Sequence, residues 1–262
     1  MSTKQPTINV LWTGGYDSTF RIVQLSKLNV TIQPFYLSDN RKSEPNELRA
    51  IADITRDIKT SPGTKCTLKP LKTYISSEVK VDDEITQAYH RLQNTAPLGS
   101  QYDWLARFAK EKNIEGLELG IEKSDTSVVL ACIRQLGHMT LVNDGAISYY
   151  ILSEEKSDPD LYKVLGNFHY PNPLFNMTKT EMLTEYKRLG FEKTVYKTWF
   201  CHRPIKGKPC GICNPCKSVI SADMRFRLPK LSLIRYKFRP VYTSKSKMEH
   251  FVKRCWDKLI NI

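Results

Sequence analysis

The sequence predicts an α/β protein: a parallel sheet with flanking helices, followed by a small cysteine-rich C-terminal region. Three observations predict it. Short apolar runs alternate with amphipathic segments from residue 8 to residue 137, the pattern of βαβ units joined by right-handed crossovers. The first apolar run ends in a glycine pair, "TGGYDST" (13–19), and passes directly into a helical pattern. Four of the seven cysteines crowd into residues 201–216.

The elements follow in order. "INVLWT" (8–13) is a short, continuously apolar run bounded by Gly14-Gly15 and reads as a buried strand. From Asp17 to Leu28, Phe20, Val23 and Leu28 recur at helical spacing. "TIQPFYL" (31–37) is a second strand, with an irregularity expected at Pro34. Pro45 suits the first turn of a helix whose apolar face is Leu48, Ile51, Ile54 and Ile58. "CTLKPL" (66–71) is a third strand. Residues 80–113 read as a helix in two pieces, broken near "APLGS". "EGLELGI" (115–121) is a fourth strand, and 124–137 is a helix with Ser124 as N-cap and Gly137 past its end.

In a parallel sheet, ligands gather at the carboxyl ends of the strands, so residues 13–18, 38–40 and 120–125 are expected on one rim. Beyond residue 138 the pattern loosens. "MTLVNDGAISYYIL" (139–152) reads as a hairpin around Asp144-Gly145, and "SEEKSDPD" (153–160) as a loop. "MTKTEMLTEYKRLG" (177–190) is a helix opened by a capping box of Thr178 and Glu181. The domain organisation read from this is an α/β domain carrying the glycine loop over 1–175, a helical and cysteine-rich region over 176–220, and a basic extension over 221–262.

The 262 residues suffice for a substantial core, and the mean hydropathy of −0.42 belongs to a water-exposed surface. No run approaches the roughly eighteen apolar residues of a membrane span. "MSTKQPTINV" lacks the apolar core of a secretory leader, so a cytoplasmic protein is expected. Net charge is +13, unevenly spread: residues 217–262 hold 12 Lys/Arg against 3 Asp/Glu. Such a tail suits RNA, DNA or an acidic protein surface, or else a solubilising face. Tyr236, Phe238, Tyr242, Phe251 and Trp256 interleave with its cations, which suits base stacking and equally suits packing onto the main domain.

The glycine loop has the composition of an anion cradle. Gly14 and Gly15 let the backbone approach a ligand, the N–H groups of the helix start point at it, and Thr13, Ser18 and Thr19 add hydroxyls. No lysine occurs between the glycines and Lys27, which excludes a Walker A loop, and the spacing fails G-x-G-x-x-G. Asp17, a carboxylate inside an anion site, makes sense with Mg²⁺ or as a brace for the loop N–H groups. The cysteines read Cys201-x8-Cys210-x2-Cys213-x2-Cys216, four thiolates sufficient for a closed, structural zinc site. An iron–sulfur cluster is the alternative, since C-x2-C-x2-C also serves clusters. His202 reads as a neighbour of this site. An odd cysteine count with such crowding argues against a secreted disulfide framework.

The loop resembles the S-G-G-x-D-S loop of the PP-loop ATP pyrophosphatases, with Thr13 in place of the first serine. Loop and cysteine spacing together resemble 7-cyano-7-deazaguanine synthase, the QueC family, over roughly residues 8–220. "LELGIEKSD" is similar to that family's fourth strand, giving Gly120 and Asp125. "NPLFNMTKTEML" is similar to its proline-leucine and threonine-lysine stretch, giving Pro173, Thr178 and Lys179. "TWFC" (198–201) is similar to the family's stretch leading into the zinc site, with Phe200 replacing serine. Lys179 has independent support, because a cation in the first turn of a helix opposes the helix dipole and calls for an anion nearby. Asp125 in a helix first turn is as readily structural.

The resemblance implies an adenine nucleotide alpha hydrolase-like, Rossmann-like sheet that binds ATP through Thr13, Gly14, Gly15, Tyr16, Asp17, Ser18, Thr19 and Gly120. It implies Asp17, Ser18 and Lys179 as catalytic residues, Asp125 and Lys179 as substrate-binding residues, and Mg²⁺ and Zn²⁺ as the metals. The activity implied is adenylylation of a 7-deazaguanine-type carboxylate, displacement of AMP by ammonia to give an amide, and ATP-driven conversion of the amide to a nitrile. A homodimer is implied as well.

The family's glycine-tyrosine-proline-aspartate-cysteine-arginine is replaced here by "TSVVLACIR" (126–134), and its proline-x-arginine-asparagine by "APLGSQYDW" (96–104). The ATP and zinc chemistry therefore transfers more directly than the substrate. A divergent relative could stop at the amide, or could join the acid to an amine of a protein or nucleic acid, an option that the QueC-like proteins of anti-phage operons keep open. A tRNA-modifying PP-loop enzyme, for which Cys66 and Cys132 are the candidate cysteines, and an inactive nucleotide-binding module are the further classes.

Overall fold

Strand β1 (Thr7–Leu11) turns through the glycine pair into helix α1 (Tyr16–Ser26), and β2 (Thr31–Ser38) then leads to α2 (Glu44–Thr60). These, with the elements that follow, are seen in a computed structural model that describes residues 5–239. The chain divides after Trp199 into two compact units. In the first unit the elements continue as β3 (Thr67–Leu68), β4 (Lys72–Ile75), α3 (Asp83–Thr95), α4 (Gln101–Glu111), β5 (Leu117–Glu118), α5 (Val128–Leu136), β6 (Met139–Asp144), β7 (Ile147–Leu152), α6 (Pro159–Leu165), β8 (Phe168–Pro171) and α7 (Lys179–Arg188).

The strands form one sheet in the order β3-β2-β1-β5-β8-β7-β6, with β4 also on β2. The pairs β1–β2, β1–β5, β2–β3, β2–β4 and β5–β8 are parallel. The β6–β7 hairpin and its junction with β8 are antiparallel. This is a mostly parallel, Rossmann-like sheet with helices packed against it, as expected, carrying an antiparallel edge. The core follows from the sequence pattern: Phe20, Ile22 and Leu25 of α1, Ile32 of β2, Ile54 and Ile58 of α2, and Phe108 of α4 are all fully buried. On the α3/α4/α6 side, Leu117, Phe168 and Tyr170 of the sheet join one continuous apolar cluster.

Several expectations change in detail. Pro34 causes no break in the β1 pairing, where Val10 lies opposite it. It stands where the outer neighbour of β2 switches from β3, opposite Thr31 and Ile32, to β4, opposite Phe35 through Ser38. The Ile32 carbonyl faces that outer side, accepting from the Lys69 N–H at 3.0 Å. By alternation Pro34 faces it too, so its missing N–H falls in the gap between two short strands. The expected strand 66–71 thus shrinks to the two residues of β3, and the unanticipated β4 follows it at Lys72–Ile75.

The helix expected from Ser124 begins only at Val128, because Ser127 is its cap and accepts the Leu130 N–H at 3.3 Å. Ser124 instead takes the Thr126 N–H at 3.3 Å in the preceding turn. The segment read as a loop over 153–160 gives way to α6 at Pro159, where Asp158 accepts the N–H groups of Asp160 and Leu161, both at 3.0 Å. The hairpin at Asp144-Gly145 and the Thr178–Glu181 capping box form as expected.

The second unit, described over 200–239, contains the cysteine-bearing loop, α8 (Asn214–Ser221) and α9 (Lys230–Lys237). Residues 240–262, with Tyr242, Phe251, Trp256 and Cys255, lie outside the described residues. Among the described residues no helix is long and apolar enough to cross a membrane.

Candidate functional site

The loop between β1 and α1 is held from several directions. Trp12 is buried, and its indole N–H donates to Thr19 Oγ1 at 2.9 Å. Gly14 has φ +67°, and a Cβ there would lie 2.7 Å from the Glu47 carbonyl oxygen. Only glycine fits both restrictions. The Gly14 carbonyl accepts the Trp199 N–H at 2.8 Å. Gly15 is the N-cap of α1, and its carbonyl accepts the Thr19 N–H at 3.1 Å. The N–H groups of Asp17 and Ser18 then belong to the open first turn of α1, where no preceding carbonyl can reach them. Ser18 Oγ lies 3.4 Å from both Thr13 N and Thr13 Oγ1, so the two hydroxyls sit side by side at the loop mouth. Gly120, just beyond β5, approaches this turn so closely that a Cβ would come within 3.0 Å of Ser18 N.

Helix α7 brings a cation to the same place. Lys179, its first residue, has a largely buried side chain whose Nζ lies 3.3 Å from Asp17 Oδ1 and also pairs with the Glu122 carboxylate. The backbone on either side is fixed as well. Tyr16 Oη donates to the Lys179 carbonyl at 2.9 Å, and Tyr186 Oη donates to the Tyr16 carbonyl at 2.8 Å. Asp17 and Glu122 are themselves neighbours within hydrogen-bonding reach. Burial and the adjacent Asp17 carboxylate push the Glu122 carboxyl up to about 8, against the pull of Lys179. Burial works against the Lys179 charge, but its two carboxylate neighbours outweigh it and raise its pKa.

Sequence reasoning missed Glu122. Asp125, which it proposed, is exposed in the turn before α5. Among the described residues the carboxylates that meet Lys179 are those of Asp17 and Glu122. The acid's position straight after Gly120-Ile121, at the end of a predicted strand, was the available signal.

Below the rim, Arg21 of α1 and Glu118 of β5 form a buried bidentate pair, with both N–O distances 2.7 Å. It ties the helix that begins with the glycine loop to the strand that leads to Gly120 and Glu122. Beside β1, the end of β2 supplies Tyr36, whose hydroxyl donates to Glu47 at 2.8 Å, and Ser38, whose hydroxyl donates to Glu44 at 2.7 Å. The parallel register of β2, β1 and β5 thus brings the three expected rim segments to the same end of the sheet.

In the second unit the thiols of Cys201, Cys210, Cys213 and Cys216 all lie within 4.8 Å of one another. The Cys210–Cys216 and Cys201–Cys213 sulfurs are 3.8 Å apart. A tetrahedron of Zn–S bonds of about 2.3 Å requires sulfur separations of about 3.8 Å, so the donor set fits one zinc ion. Thiolates on the separate irons of a cluster would stand farther apart. Backbone N–H groups already point at the sulfurs: Cys210 N at 3.1 Å from Cys201 Sγ, and Gly211 N at 3.3 Å from Cys216 Sγ. Such donors favour the thiolate form and orient the ligands. Gly211 has φ +86°, and a Cβ there would meet the Ser232 carbonyl at 2.0 Å. Arg235 donates to the Cys210 carbonyl at 2.8 Å, anchoring α9 to this loop.

A mostly parallel sheet with this glycine loop at the carboxyl end of its first strand defines a PP-loop nucleotide-binding protein. The model of a family described as queuosine biosynthesis protein QueC matches residues 7–222, most of the chain, and the chain belongs to that family. It is a family of ATP-dependent enzymes that make 7-cyano-7-deazaguanine on the way to queuosine. No curated protein gives a significant match.

Proposed function

We propose that this chain adenylylates the carboxylate of a 7-deazaguanine-type acid and passes it on to ammonia, giving an amide and then a nitrile. In the first half, the carboxylate oxygen attacks the α-phosphorus of ATP and pyrophosphate leaves. Ammonia then displaces AMP from the acyl adenylate, since AMP is a far better leaving group than oxide. The amide oxygen then attacks the α-phosphorus of a second ATP with release of pyrophosphate and a proton, and loss of AMP with the remaining N–H proton leaves the nitrile.

The observation that carries this reading is the arrival of Lys179 beside Asp17 at the mouth of the glycine loop. A phosphate chain entering the loop meets the open N–H groups of Asp17 and Ser18, the hydroxyls of Thr13 and Ser18, and the positive end of α1. Lys179 adds a fixed positive charge where negative charge builds on the departing pyrophosphate, a preorganised electrostatic term. Asp17 and Glu122 offer the oxygen donors that suit Mg²⁺, which would neutralise phosphate charge when bound. Zinc, held by the four cysteines, has a structural role, since all four positions are filled by protein.

The test is direct. Zinc-loaded protein is incubated with Mg-ATP, 7-carboxy-7-deazaguanine and ammonium, and nucleotides and bases are analysed by mass spectrometry. Nitrile with AMP is the expected result; amide alone would place the end of the reaction one step earlier. Absence of AMP would overturn the reading.

A further inference from the structure

The second unit carries a charge imbalance that the small-molecule reaction does not use. Residues 200–239 contain ten Lys/Arg and a single acid, Asp223. Four thiolates and one zinc ion would add only −2, leaving a strongly positive surface. Two of the cations are drawn inward, Arg235 on the Cys210 carbonyl and Arg227 4.7 Å over the Phe200 ring. The other eight are exposed, among them Arg239, which lies 4.5 Å over the Tyr236 ring at the surface. Lys206, Lys208, Lys217, Arg225, Lys230 and Lys237 have no carboxylate within 4.0 Å among the described residues. The first unit differs in balance, since residues 1–199 hold 25 Lys/Arg against 24 Asp/Glu, and exposed cations such as Arg91 and Lys163 find acids there.

Helix α9 concentrates the effect. At 100° per residue, Lys237, Lys230, Ile234, Phe238 and Leu231 fall within one arc of about 120°. The opposite face holds the fully buried Ser232, bonded to the Pro209 carbonyl, and Arg235 stands between that face and the arc. Along the outer arc Leu231 is 63% exposed, Ile234 49% and Phe238 52%. Phe226, before α9, is exposed as well. Unpaired cations interleaved with exposed apolar and aromatic side chains are what a single strand of nucleic acid requires: charge for the phosphates and flat faces for the unstacked bases.

We infer that the second unit, through the outer face of α9 and the neighbouring basic loops, binds single-stranded nucleic acid. The exposed Phe238 ring among the cations favours a polyanion with flat bases to stack on it over an acidic peptide, whose carboxylates would use the charge alone. A duplex presents its bases edge-on inside the grooves and would leave Phe238 and Leu231 facing phosphates. The sequence outside the described residues continues the same composition, with five Lys/Arg, two acids, Tyr242, Phe251 and Trp256 over 240–262.

The test uses the full-length, zinc-loaded protein and a fluorescent single-stranded 20-mer, with anisotropy read across a salt series. Binding should weaken steeply with salt, and the Lys230→Glu/Lys237→Glu variant should bind at least tenfold more weakly at low salt. Losing two phosphate contacts should reduce the slope of log K against log salt by about 1.4. Phe238→Ala should cost about fivefold or more while leaving the salt slope unchanged. Zinc content and AMP formation, which these residues do not serve, report that each variant is folded. Unchanged affinity in the double variant would overturn the inference. So would equal binding of polyglutamate with no effect of Phe238→Ala, which would assign the surface to acidic proteins. Preference for a duplex of the same sequence would overturn the single-strand assignment.

Discussion

Lys179 and Gly14 show how much of the site depends on single residues. Lys179 is buried at a helix N-terminus, where the dipole and desolvation both oppose its charge, and Asp17 and Glu122 hold it there. Lys179→Met should therefore leave a folded, zinc-binding protein whose AMP formation falls about 100-fold, measured as initial rate at saturating ATP. Retention of full activity would remove the lysine from the proposed mechanism. Gly14→Ala acts differently. It forces a side chain into positive φ and against the Glu47 carbonyl, so a loss of at least about 1–2 kcal/mol is expected in urea denaturation. The loop glycines and hydroxyls were legible from local sequence because their constraint is local. Glu122 was less so: its place at a strand end was a signal, but the pairing that gives it a role is with a partner 57 positions away.

At the scale of elements, the Arg21–Glu118 pair joins α1 to β5 in the buried interior. Removing one partner strands a buried charge, so Glu118→Ala alone should destabilise the first unit by about 3–5 kcal/mol. Arg21→Met together with Glu118→Leu should restore much of that loss in the same denaturation measurement. Strand β8 supplies a second prediction. His169 stacks on Tyr149 with ring centroids 3.8 Å apart, and burial, only partly countered by Asp144, lowers its pKa to about 4. A histidine free in the unfolded chain takes up its proton near 6.5, so between pH 6.5 and 4 the unfolded state binds more protons. Stability should fall as pH drops through that window and level off near 4, and His169→Phe should flatten this part of the profile. These elements were unequally legible. The Asp144-Gly145 hairpin and the capping box of α7 announce themselves by turn and cap chemistry. β8, four residues long, and β4 exist as strands through the neighbours that pair with them. Helix α5 starts later than expected because Ser127 competes with Ser124 for the cap and wins it with the Leu130 N–H.

At the scale of the whole molecule, the two compact units rest on different sources of stability. The first has a continuous apolar core beneath an extended sheet. The second places three buried cysteines, with Cys213 beside them, in a short loop, and such a small unit gains little from apolar burial alone. Metal-binding free energy would then be a large part of its folding free energy. Purified protein should contain one zinc per chain, released by thiol-modifying reagents, and Cys210→Ser should abolish most of it. Chelation should remove the melting transition of the second unit and leave that of the first, followed by calorimetry with and without chelator. The spacing of the cysteines made this centre readable in advance, because metal geometry restricts which spacings close a tetrahedron. A chain that kept both transitions after complete zinc removal would show that α8, α9 and the Arg235 contacts suffice to fold the second unit, and the structural role given to the metal would fall.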